Sequence, residues 1–93
     1  MRHDRLMYRV IVECDGIGSD DEAEAAADIE QEFREHRSWH QHAACSFCNG
    51  MLRLVVENDF DANGSATLDE FADSIAAYVG EHGPVRVVGV ERF

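Results

Sequence analysis

Between positions 59 and 70 the chain reads Asp-Phe-Asp-Ala-Asn-Gly-Ser-Ala-Thr-Leu-Asp-Glu, with oxygen-bearing side chains at alternate places around a glycine. A hard divalent cation needs several oxygens converging from a short loop. Here Asp59, Asp61, Asn63, Thr67 and Glu70 offer side-chain or water-mediated ligands, and Ser65 offers its backbone carbonyl. Gly64 permits the bend, and a glutamate one helical turn in can chelate with both oxygens. A second group, His36, His40, His42, Cys45 and Cys48, falls within thirteen positions. Thiolates with neutral imidazoles are the ligand set that suits zinc.

The span 59–70 resembles an EF-hand calcium loop position by position, and Phe71 stands where that family places an apolar residue opening the exiting helix. The resemblance implies Ca²⁺ as the ligand, held weakly, and covers only these twelve residues and the helix behind them. The chain departs from the pattern at Ala66, where a larger aliphatic residue is usual, and at Asn58, where an apolar one is expected. The preceding segment also reads as a strand instead of an incoming helix. The same residues have a plainer use, because Asp, Asn, Gly and Ser build tight loops. Thr67 and Glu70 have capping-box spacing. The Cys45-x-x-Cys48 pair before Asn49-Gly50 looks like a zinc knuckle, with His40 and His42 alternating along the entering strand as the remaining ligands. Strand alternation equally sends Cys45 to the core with Ala43 and Phe47, and cysteine is often buried without a metal. His36 also suits the C-terminal end of a helix.

Both groups need elements to position them. Residues 6–14 alternate, with Tyr8, Val10, Val12 and Cys14 on one side and Arg9, Ile11 and Glu13 on the other, as in a half-buried strand. Ser19 to Glu22 has capping-box spacing ahead of a helix over about 20–37 that carries Ala23, Ala26, Ile29 and Phe33 on one face. Asn49-Gly50 between two apolar runs predicts a hairpin. Leu52, Leu54 and Val56 then oppose Arg53, Val55 and Glu57. A second helix, about 67–81, shows Leu68, Phe71, Ile75 and Tyr78 at helical spacing and stops near Gly80, Gly83 and Pro84. Residues 85–92 form the last strand. The order β-α-β-β-α-β predicts a ferredoxin-like α+β sandwich over residues 1–93, with two helices on one face of a four-stranded antiparallel or mixed sheet.

Composition narrows the function. The 93 residues carry 19 acidic side chains against 8 arginines, with no lysine, for a net charge of −11. Nucleic acid and anionic membranes require the opposite sign. No run has the length of a signal peptide or a membrane span, and three cysteines make no disulfide framework, so a cytoplasmic setting is expected. No nucleophile with a base, carboxylate pair or phosphate cradle stands out. The expected function is a non-enzymatic binding or regulatory module. Its partner would be a second copy or another protein, met on the open sheet face through Arg9, Ile11, Glu13, Arg53, Val55, Glu57, Val88 and Val90. A metal-binding domain, with Ca²⁺ ahead of Zn²⁺, is the second reading. A small enzyme with its pocket at a dimer interface is the third.

Overall fold

The computed structural model describes residues 6–17, 22–79 and 82–93, and side chains from 24 onward in the middle segment. The elements follow as β1 (Tyr8–Cys14), α1 (Glu22–His36), β2 (Gln41–Cys48), β3 (Met51–Asn58), α2 (Ser65–Tyr78) and β4 (Val85–Arg92). The Ser19 capping box and the Gly80 stop lie outside the described residues. The strands form one sheet in the order β2-β3-β1-β4. All three neighbouring pairs are antiparallel, so the sheet is not mixed.

Alternation in β1 and β3 makes the inner face. Val10, Val12, Cys14, Leu52, Leu54 and Val56 are all fully buried, and they share one core with Ile29 and Phe33 of α1 and Phe71 and Ile75 of α2. Both helices therefore cover the same side. Burial of a ring such as Phe33 or Phe71 contributes about 2–3 kcal/mol, against roughly 1 kcal/mol for a cap. Packing, more than capping, holds the helices.

The hairpin between β2 and β3 turns on two residues, Asn49 at φ 52° and Gly50 at φ 75°. Those positive angles match the twist of the flanking strands. Each edge strand carries an irregularity. In β4, Ile11 pairs with Gly89 but Val12 pairs with Val87, leaving Val88 as an extra, half-exposed residue. In β2, Gln41 lies opposite Glu57 and Ala44 opposite Val55, so one extra residue is absorbed around His42, whose φ is 53°.

These bulges correct two expectations. Val90 is opposite Val10 and packs against the core, not on the open face. His40 and His42 point to opposite faces of the sheet, because the extra residue reverses the phase of the alternation between them.

Helix α2 also begins earlier than expected, at Ser65, behind Gly64 in the left-handed conformation. A side chain at Gly64 would meet Val87 at 3.0 Å and Val10 at 3.3 Å, so the loop lies directly on the sheet there. Thr67 is not the cap. It lies inside the helix, fully buried.

Candidate functional site

The acidic loop is tied to its own helix. Asp61, 3% exposed, accepts from the Ala66 amide on Oδ1 (3.1 Å) and from the Thr67 amide (2.8 Å) and hydroxyl (2.6 Å) on Oδ2. The carboxylate thus satisfies early amides of α2 that have no partner within the helix, at the end where negative charge is favoured. Asn63 Oδ1 accepts from Ser65 N at 3.0 Å, closing a local turn. Asp59 is exposed. Glu70 has its carboxylate against Trp39 and His40, just before β2.

There it meets a polar centre that the sequence did not announce. The His40 side chain is fully buried among the rings of Phe33, Trp39 and Phe60, at centroid distances of 5.4, 6.0 and 5.8 Å. Asn58 Oδ1 accepts from the amides of Phe60 (3.2 Å) and Asp61 (2.9 Å), which leaves Nδ2 to donate to His40 Nδ1 at 3.1 Å. The imidazole hydrogen then sits on Nε2 and is donated to Glu70 Oε1 at 2.5 Å. Trp39 Nε1 donates to the same carboxylate at 3.2 Å. Asn58 therefore links the end of β3, the loop and His40. Its sequence signal was its polarity at a core-facing position of the third strand.

The His and Cys group is split by the sheet. His40 and Cys45 lie on the helix side. His42 lies on the other, 76% exposed, with Nδ1 2.7 Å from Glu57 Oε1. Cys48 is exposed at the hairpin. The Cys45 thiol is pushed up to about 12, by burial first and the nearby Glu30 carboxylate second. The four residues do not converge. Among the described residues, no group of three or more His, Cys, Asp or Glu is arranged to hold a metal. A cleft of about 180 Å³ between the helices is lined by Asp28, Gln31, Glu32, Glu35, His36 and Tyr78.

The open face of the sheet carries its charged side chains in rows across the strands. One row crosses all four strands: His42, Glu57, Arg9 and Glu91. Arg9 Nε donates to Glu57 Oε2 at 3.1 Å, and its Nη1 donates to Glu91 Oε1 at 3.1 Å. The hydrogen bond from His42, then burial opposing it, then Arg9, set the Glu57 carboxyl, with a net displacement below its ordinary value. A second row holds Arg53, Glu13 and Arg86. Glu13, 5% exposed, receives Arg53 Nε on Oε2 at 2.8 Å and Arg86 Nη2 on Oε1 at 2.7 Å, while Arg86 Nη1 reaches Asp15. Between the rows runs a narrow apolar strip, Ala44, Val55, Ile11 and Gly89, in cross-strand register.

Sequence alternation assigned Arg9, Ile11, Glu13, Arg53, Val55 and Glu57 to this face, and the structure brings them together there. It did not find Arg86, Glu91, Asp15 or His42 beside them. The bulge in β4 puts Glu91 on this side together with Arg86, and Gly89 inside a strand was its available sign.

The chain matches no family model, no curated protein and no solved structure. Among the described residues, no helix is long and apolar enough to cross a membrane.

Proposed function

We propose that the chain is a small, non-enzymatic cytoplasmic association module of ferredoxin-like architecture, working through the open face of its sheet. The strand order supports the architecture. β3 lies between β2 and β1, the two strands joined through α1, and β1 lies between β3 and β4, joined through α2. That order is what an interlocked split β-α-β pattern would give.

The observation that carries the reading is the apolar strip of Val55 and Ile11 held between two rows of alternating charge. An apolar centre with a polar border is the anatomy of a protein interface. The distribution of charge points the same way. Helix α1 carries six carboxylates against one arginine, whereas the two rows and Asp15 together hold four carboxylates against three arginines. A strongly acidic protein thus keeps one nearly neutral face.

The test is the hydrodynamic size of the wild type and of Val55→Glu, each purified and in cell extract. The reading expects the wild type in a larger species in at least one setting and Val55→Glu as a single chain, with unchanged circular dichroism. A wild type that remains a single chain in both settings ends it.

A further inference from the structure

We propose that the partner on this face is a second copy of the chain, stacked face to face about a two-fold axis that runs across the strands along Ala44, Val55, Ile11 and Gly89. This rests on the association reading above and names its partner and geometry.

The charges select the arrangement. In β1 and β3 the two rows stand two residues to either side of the apolar strip, about 7 Å away. A half-turn about the strip therefore lays each row over the other row of the second copy. In β3, Glu57 comes over Arg53 of the second copy. In β1, Arg9 comes over its Glu13, and in β4, Glu91 comes over its Arg86. Each contact occurs twice by symmetry, as an isologous interface requires. Every formal charge of the two rows then faces its opposite.

The competing two-fold, parallel to the strands between β1 and β3, pairs Glu57 with Arg9 and Arg53 with Glu13. It leaves Arg86 facing the uncharged Ser46. The bulge at Val88 bears on the choice. Arg86 and Glu91 are five positions apart, a spacing that regular alternation would divide between the two faces, and the extra residue keeps both on this one, so that each row has its β4 member. The acidic helices end up on the two outer surfaces, as far apart as the sandwich allows, where their repulsion is most screened.

Four strands about 4.8 Å apart and seven residues of about 3.3 Å each give a face of roughly 450 Å² per copy. That is the low end for a specific contact, so the dimer separates on dilution.

Cross-linking distinguishes the arrangements. Ala44→Cys, made with Cys48→Ser to remove the exposed native thiol, is treated with a short bis-maleimide in purified protein whose dimer is followed by sedimentation. In the proposed geometry Ala44 meets its own copy, and Ala44→Cys alone gives about tenfold more linked dimer than it does with Ile11→Glu added. A dimer in which Ala44→Cys links only when mixed with Gly89→Cys protein overturns this geometry and leaves the association reading standing. A purified chain that sediments as a monomer while forming a larger species in extract overturns the second copy as partner, again without ending that reading.

Discussion

Asn58 and His40 share a single hydrogen bond, 3.1 Å from Nδ2 to Nδ1, and it determines which nitrogen of the buried ring faces Glu70. Asn58 can donate there only because its oxygen already serves two loop amides. Removing the amide side chain strands all three partners at once. Asn58→Ala is therefore expected to cost about 2–4 kcal/mol, since buried polar groups left unpaired are expensive. Glu70→Gln keeps an acceptor for Nε2 and costs less, about 1 kcal/mol. Urea unfolding of the two variants checks the order; equal losses would contradict it.

Asp61 joins the loop to helix α2 from outside the helix. Asp61→Ala leaves two amides and the Thr67 hydroxyl without their acceptor, for an expected loss of about 2–3 kcal/mol. Thr67→Val, which removes only the hydroxyl, should cost about 1 kcal/mol. Urea or thermal unfolding reads both. A near-neutral Asp61→Ala would mean that the carboxylate does not cap the helix.

The cysteines report the facing of β2. With its thiol at about 12, Cys45 holds roughly a thousandfold fewer thiolates at pH 8 than an ordinary cysteine. Burial also raises Cys14, with Asp15 adding to it. Iodoacetamide at pH 8 should label Cys48 first, with Cys45 lagging by at least a hundredfold and the buried Cys14 also behind Cys48. Mass spectrometry of the labelled peptides reads the order, and early labelling of Cys45 would contradict the register of β2.

Glu57 gives the pH dependence. Its carboxyl is lowered mainly by the hydrogen bond from His42, so it binds its proton less readily in the folded chain than in the unfolded one. The stability it contributes is fully present above the ordinary glutamate value and is lost as pH falls through the lowered midpoint. An NMR titration should place Glu57 below a free glutamate, and His42→Ala should move it upward. An unchanged midpoint in His42→Ala would show that the pair does not form.

Much of the fold was legible in the sequence. Period-two alternation in β1 and β3 separated Val10 and Leu54 from Arg9 and Arg53, and Asn49-Gly50 located the hairpin. The edge strands were harder, because one inserted residue inverts every later side chain. That inversion took Val90 from the open face and brought Glu91 to it, and in β2 it set His40 on the helix side, opposite to His42. The loop was ambiguous for another reason. Asp, Asn, Gly and Thr at alternate positions serve a cation loop and a helix start equally well, and only the three-dimensional course of Asp61 shows that its oxygens are committed to Ala66 and Thr67.

The claim that two copies meet on the open face is tested most directly by methyl NMR over a dilution series from about 1 mM to about 10 μM, the range in which a contact this small should dissociate. Signals of Ile11 and Val55 should move with concentration, while those of Ile29 and Ile75 beneath the helices stay fixed. Constant Ile11 and Val55 signals throughout, or movement confined to the helix side, would contradict it.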